Sequence, residues 1–174
     1  MSATESTSAS RSEAHAADIE FFVRRGMTKG YQAMSLVIPP LYTVFILTRR
    51  GRGAWHLSRF LRATWIGGVV GLGAGGGFEY IRTAHSDEAA ARDRRIRASY
   101  DTASIRADDH ATIGTILFAM LTPAFFWKQA NVANLILGGS GLGSGAGLCY
   151  HWVRSLTGDN PPPTMQRPGA SEPL

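Results

Sequence analysis

The sequence predicts an all-α integral membrane protein in which four transmembrane helices form a 2+2 direct repeat. Two glycine-rich stretches, residues 68–80 and 138–150, share much of their glycine spacing and both end in tyrosine. Formal charge is nearly absent from four windows and dense between them: residues 31–48, 63–81, 111–127 and 131–153. Each window approaches the roughly 17–25 residues that cross about 30 Å of hydrocarbon.

The glycines define two candidate packing surfaces. A glycine inside a helix costs roughly 1 kcal/mol relative to alanine in water, so a soluble helix rarely carries many of them. In a bilayer, backbone groups must be hydrogen-bonded within the segment, and small residues four apart let helix backbones approach closely. Two rows have this spacing: Gly67, Gly71 and Gly75 in the first repeat, and Gly139, Gly143 and Gly147 in the second.

A different interpretation of the first stretch is a nucleotide-dependent oxidoreductase. Gly71, Gly73 and Gly76 fit the G-x-G-x-x-G fingerprint of dinucleotide binding. That motif needs a strand before it, a helix after it and a second strand about 20 residues on. Residues 86–97, which follow, are highly charged and contain no apolar run. We therefore favour helix packing for these glycines.

Prolines distinguish the first helix of each half from the second. Pro39, Pro40 and Pro123 fall inside the windows 31–48 and 111–127 and are expected to kink those helices. Each half therefore consists of a proline-kinked helix followed by a glycine-faced helix. The proline-containing windows are short, and re-entrant or tilted elements are the alternative for them.

Basic residues concentrate in the first connection. They are Arg49, Arg50, Arg52, Arg59 and Arg62. Basic residues near a membrane surface attract anionic lipid, so we expect contact with a phospholipid such as cardiolipin. The formal net charge of +5 is spread over the segments that flank apolar windows. Because no recognition helix or aromatic-basic platform accompanies it, we expect no nucleic-acid partner.

The remaining segments are polar. Residues 1–17 and the proline-rich residues 158–174 are expected to be disordered tails around a membrane domain of residues 18–157. Residues 82–110 form a polar connection, with a helix expected from a cap at Ser86 to about residue 99. Its charged face is either solvated and ion-paired or a docking surface for a neighbouring subunit.

No residue pattern predicts catalysis. Cys149 is the single cysteine, and the five histidines have no metal-ligand spacing. We therefore expect no enzyme activity, no cofactor, no metal and no small-molecule substrate. Glu79 lies near the end of the second window, where it either pairs with Arg82 or belongs to a proton path; we favour the pairing.

The first thirty residues contain several acidic side chains and no long apolar run. A cleavable presequence would be rich in arginine and poor in acids, and a secretory signal would carry an apolar core. We therefore expect internal spans to direct insertion, as in nuclear-encoded, multi-pass proteins of the mitochondrial inner membrane.

The arrangement resembles a known family. Four short spans, glycine rows in the second and fourth, a basic first connection and a polar middle segment are similar to the four-helix family of mitochondrial inner-membrane proteins. That family includes the channel subunits of protein translocases and a membrane-arm accessory subunit of respiratory complex I. The segment from Met27 to Met34, and residues 18–158 as a whole, resemble most the fungal accessory subunits of the NUXM type.

This resemblance implies a supernumerary subunit of mitochondrial NADH:ubiquinone oxidoreductase. Its partners would be the other membrane subunits of the complex and membrane lipids, and it would carry no redox centre or quinone site. The alternative is a component of a protein translocase or small transporter. In that case the polar residues of the fourth window would face a cavity: Asn131, Asn134, Ser140 and Ser144.

Overall fold

The computed structural model describes residues 2–49, 51, 53 and 55–158, with side chains from residue 13 onward. Its elements are α1 (Ser2–Arg49), α2 (Leu57–Ala84), α3 (Glu88–Ser99), α4 (Thr102–Phe126) and α5 (Val132–Leu156). No strand occurs in the described part of the chain, so the predicted all-α class is confirmed.

The helices form two antiparallel hairpins, α1 with α2 and α4 with α5. Helix α5 is the central element, because it packs against α4, α1 and α2. Leu61 of α2 lies against Gly138, and Thr64 lies against Gly141, so α2 and α5 run in parallel. Both hairpins therefore point the same way, and the described N-terminal part of α1, α3 and the end of α5 lie at one end of the bundle.

The interior is small and polar, whereas large apolar side chains lie outside. The largest fully buried side chains are Leu61, Thr64, Thr83, Leu135, Ser35 and Ser144. By contrast, Phe78, Met120 and Phe125 expose 65%, 71% and 74% of their surfaces. A soluble domain places its large apolar residues inside. Small residues at helix contacts with apolar residues outside are instead typical of helices packed in lipid.

Among the described residues, two helices are long and apolar enough to cross a membrane by length and composition, within Glu13–Arg49 and Val132–Leu156. Helix α2 contains the window 63–81, but its many glycines contribute little apolar side chain. Helix α4 contains most of the window 111–127, but its first turns, residues 102–110, are polar. Length and composition therefore support two of the four expected spans.

Several boundaries differ from expectation. Helix α1 begins at Ser2, so residues 2–17, which we expected to be a disordered tail, are helical. That segment contains no proline or glycine and includes good helix formers contiguous with the apolar part of α1, so nothing in it stops the helix. The cap of α3 is Asp87 rather than Ser86. Residues 159–174, the expected C-terminal tail, lie outside the described residues.

The prolines lie inside continuous helices. Pro39 has no N–H, so the carbonyl of Ser35 loses its usual helical donor. Gly145 of α5 lies against that carbonyl, and a Cβ placed on Gly145 would be 2.9 Å from the Ser35 oxygen. A glycine at this position therefore gives α5 room to approach the freed carbonyl group.

Candidate functional site

The first candidate site is the seam between α1 and α2. A Cβ added to Gly30 would overlap the carbonyl oxygen of Gly71, and one added to Gly71 would overlap that of Gly30. Gly26 and Gly75 face each other in the same way. The two backbones are thus in direct contact at two levels, which only residues without a side chain permit.

The third glycine of this row has a different neighbour, and other glycines of the stretch face away. A Cβ on Gly67 would lie 2.5 Å from Cγ1 of Ile38. In contrast, a Cβ added to Gly73 or Gly77 would meet open space, with no neighbouring atom within 4 Å. The glycine-rich stretch of α2 therefore has a packed face and an open face.

The seam between α4 and α5 repeats this geometry. Gly143 faces Gly114 through the same backbone-to-backbone contact, and Gly147 lies against the carbonyl group of His110. A Cβ on Gly139 would lie 2.6 Å from the carbonyl oxygen of Phe118. All three glycines of the second predicted row thus lie against the α4 backbone.

Sequence reasoning missed the partners of these rows. Gly26 and Gly30 have the four-residue spacing of a packing motif, which is visible in the sequence but lies before the first uncharged window. Gly114 is isolated and carries no such signal. Residues 68–80 align in sequence with residues 138–150. The structural correspondence of the packing rows is shifted by two residues from that alignment, because Gly67, Gly71 and Gly75 correspond to Gly139, Gly143 and Gly147.

The first stretch does not have the structural frame of a dinucleotide fingerprint in the described residues. Gly71, Gly73 and Gly76 lie in the middle of α2. A dinucleotide fingerprint needs a turn between a strand and a helix, and the described residues contain no strand.

The second candidate site is the charged end of the bundle, where α3 is attached to α1 and α2. A nitrogen of Arg94 donates to Oε2 of Glu79 at 2.5 Å and to Oγ1 of Thr83 at 3.2 Å. The guanidinium also lies 3.8 Å from the ring centroid of Phe22. One arginine of α3 thus contacts a carboxylate on α2 and an aromatic ring on α1.

The next residue repeats the arrangement. Arg95 donates to Oδ1 of Asp18 at 2.7 Å and lies 5.0 Å from the ring centroid of Phe21. Asp18 is buried, with 6% of its surface exposed. Ala91 is the one buried residue of α3. Paired arginine contacts, rather than an apolar face, therefore hold this helix to the bundle.

A third set of polar contacts joins the two hairpins. Lys29 Nζ and Gln32 Nε2 both donate to Oδ1 of Asp108 at 2.7 Å. Arg25 donates to the carbonyl oxygen of Ala98 and to Oγ of Ser104, both at 3.0 Å. The polar end of α1 is thereby bound to the start of α4.

Glu79 has a different main partner from the one predicted. Arg82 lies 3.7 Å away on the same helix, whereas Arg94 of α3 lies at 2.5 Å. The pairing of Glu79 with Arg82 exists, but the shorter contact comes from the connection between the hairpins. No spacing rule in the sequence links residues 79 and 94.

Three of the predicted lipid-contact arginines lie at the opposite end of the bundle. Arg49, Arg59 and Arg62 are exposed there, and Arg50 and Arg52 lie outside the described residues. The hairpins also meet at this end, where Trp65 Nε1 donates to Oδ1 of Asn134 at 3.1 Å.

The polar residues expected to face a transport cavity have separate surroundings. Asn134 is half-buried and accepts a hydrogen bond from Trp65. Ser140 donates to the carbonyl oxygen of Ile136 at 2.8 Å. Ser144 is buried. Asn131 is the exposed cap of α5. The hydrogen bonds of Asn134 and Ser140 thus go to groups within the bundle.

Titratable groups also fail to form a metal centre in the described part of the chain. His110 and His151 have ring centroids 5.5 Å apart, but no group of three histidine, cysteine or acidic side chains is placed to hold an ion. Cys149 is exposed. Comparison of the chain with protein-family models, curated proteins and solved structures gives no significant match.

We predict that Gly71→Ala destabilises the isolated chain, whereas Gly73→Ala does not. The methyl group at position 71 would meet backbone, and overpacking of this kind costs about 1–3 kcal/mol. At position 73 the methyl group enters open space, and alanine improves helix propensity. Unfolding of the purified chain in detergent measures the difference. Equal stability of the two variants would contradict direct backbone contact in this seam.

We predict that the double variant Arg94→Ala/Arg95→Ala releases α3 from the bundle. The variant loses two ion pairs with carboxylates and two cation–π contacts, which together stabilise the docking of α3 by about 2 kcal/mol. Little apolar burial remains to hold the helix. Hydrogen exchange of residues 88–99 should accelerate. Arg97→Ala is the matched control, because Arg97 is exposed and pairs with Asp93 inside α3. Unchanged exchange in the double variant would show that α3 is held by other contacts.

Proposed function

We propose that this chain is a four-span, non-catalytic subunit that stabilises a larger membrane assembly. The observation that carries the proposal is the distribution of side chains in the bundle. Glycine, serine and threonine fill the contacts between helices, while large apolar residues cover the outside of α1, α2, α4 and α5. Water would penalise that surface, whereas lipid or a neighbouring membrane subunit would cover it.

The hairpin geometry supports spanning by α2 and α4 as well. Contacts between α1 and α2 extend from the level of Gly26 and Gly75 to the level of Ile38 and Gly67. Twelve residues of α helix rise about 18 Å. The rings of Tyr42 and Phe60, with centroids 6.1 Å apart, continue the contact along α1, so α2 runs beside residues 31–42 of the apolar window. Since α1 is long and apolar enough to cross, an antiparallel partner at the same depth crosses with it.

The polar contacts within the chain support the accessory role. Its described polar groups serve attachment between helices: Glu79 to α3, Asp108 to α1 and Asn134 to α2. Because these polar groups attach one helix to another, and because the sequence resembles the four-helix family, we infer a scaffold subunit of the mitochondrial inner membrane. Within that family we propose the membrane arm of respiratory complex I as its assembly.

The transporter alternative receives less support. It needs polar side chains that are free to face a cavity within the spans, but Asn134 is bonded to Trp65 and Ser140 to the carbonyl oxygen of Ile136. Co-migrating proteins on native gels distinguish the two hypotheses: NADH dehydrogenase subunits support the first, and import components support the second.

We predict that deletion of the chain lowers the amount or detergent resistance of its complex but leaves turnover per assembled complex nearly unchanged. A subunit that binds only the assembled form stabilises it by mass action and need not contribute to chemistry. NADH:quinone activity, normalised to assembled complex on native gels, measures this. A large fall in normalised activity that Glu79→Gln alone reproduces would replace the scaffold hypothesis with a proton-path hypothesis.

We predict that residues 49–62 face the matrix and both termini face the intermembrane space. Charge sets orientation most strongly in short loops close to span ends, and this connection holds five arginines and no acidic residue. A C-terminal tag should be lost when mitoplasts with an intact inner membrane are treated with protease. Survival of the tag would reverse the orientation, and extraction of the intact chain by alkaline carbonate would contradict membrane insertion altogether.

A further inference from the structure

A cavity of about 210 Å³ lies at the charged end, between α1, α2 and α3. Three cationic side chains line it, Arg25 and Lys29 from α1 and Arg94 from α3. The lining includes one carboxylate, that of Glu79, and an apolar wall that contains Phe22. Since one water takes up about 30 Å³ in the liquid, the space holds several waters or one phosphate-sized group.

The cations of this cavity differ in how their charges are compensated. Lys29 has the carboxylate of Asp108 at 2.7 Å, and Arg94 has that of Glu79 at 2.5 Å. Arg25 instead donates to two neutral acceptors, and its nearest described carboxylate, that of Asp101, is 3.8 Å away. Arg25 is therefore the cation whose charge is least neutralised by a close partner.

From this arrangement we propose that the cavity binds a phosphate group, supplied by an anionic phospholipid of the adjacent leaflet. The planar guanidinium of Arg25 has five N–H donors and matches the geometry of phosphate oxygens. The side chains of Arg25 and Lys29 remain 27% and 36% exposed, so the group can enter from the side. Arg94 pairs with Glu79 at 2.5 Å and so offsets the negative charge that this carboxylate contributes to the lining.

The depth of the cavity fits a lipid headgroup. Lys29 lies two residues before the uncharged window that starts at residue 31, and Asp108, its partner, lies three residues before the window that starts at 111. The cavity is thus placed where two spans leave the hydrocarbon. It lies at the opposite end of the hairpins from Arg62, so it would take lipid from the other leaflet than the basic first connection.

This inference rests on the proposed membrane insertion, although not on membership in any particular complex. A free phosphate ion presents the same chemistry, and inorganic phosphate therefore forms a separate arm of the test. The full chain is purified in a neutral detergent, and its thermal unfolding is followed during titration with phosphatidylglycerol, phosphatidylcholine or sodium phosphate.

We expect phosphatidylglycerol to raise the unfolding temperature of the unaltered chain and phosphatidylcholine to have little effect. Arg25→Gln should weaken the apparent affinity for phosphatidylglycerol about tenfold, as expected for loss of a charge-assisted contact. Arg25→Lys keeps the charge without the planar fork and should give an intermediate affinity. It also serves as the folded substitute if circular dichroism shows that Arg25→Gln does not fold.

Two matched controls isolate the cavity. Arg24→Gln removes the neighbouring charge of α1, which is exposed and paired with Glu20 outside the cavity. Arg97→Gln removes an exposed charge of α3 that is paired with Asp93 outside the cavity. Both variants should retain the affinity that Arg25→Gln loses. Equal losses in Arg24→Gln and Arg25→Gln, or no response to phosphatidylglycerol, would overturn the proposal.

The remaining outcomes separate the sources and the underlying assumption. A response to sodium phosphate that matches the lipid response would make the cavity a site for free phosphate and overturn the lipid assignment. Carbonate-resistant insertion without any effect of Arg25→Gln would reject the cavity alone. A chain that carbonate extracts, but that still binds phosphate through Arg25, would reject the membrane proposal and the lipid as the source.

Discussion

Direct contact between helix backbones is the constraint on which this bundle depends. At the level of Gly30 and Gly71 in one hairpin, and of Gly114 and Gly143 in the other, a single methyl group would separate the helices. Such close approach gains dispersion contacts and weak Cα–H···O interactions along the seam without needing any buried large side chain. It also explains the exposed apolar surface, since most of the large apolar residues have no room between helices that lie so close together.

The central position of α5 follows from the same constraint. Its glycines face three different helices: Gly143 contacts α4, Gly141 contacts α2 and Gly145 contacts α1. Small residues allow the hairpins to pack closely, and polar groups then fix the relative position of the two hairpins. The bonds of Asp108 to α1 at one end, and of Trp65 to Asn134 at the other, hold the hairpins in one relative position.

The sequence was sufficient to predict the helical class, the helical windows and the two glycine rows, because charge segregation and glycine spacing are local patterns. It was insufficient for the partners of those rows, since Gly114 acquires its role only when α4 meets α5. The attachment of Arg94 and Arg95 to residues 18–22 and 79 likewise joins segments far apart in the chain. The helical start of α1 was missed because a serine-rich composition was weighted above the absence of any helix breaker.

The common direction of the two hairpins has a consequence for biogenesis. The long N-terminal part of α1, the whole of α3 and the C-terminal turns of α5 belong to one end of the bundle, so a four-span chain could leave all of them on the side from which it enters the membrane. Between the described helices, only the connections at residues 50–56 and 127–131 would have to be carried across the bilayer. Each hairpin could then enter as a closed pair of helices, with the cost of crossing concentrated in the arginines of the first connection.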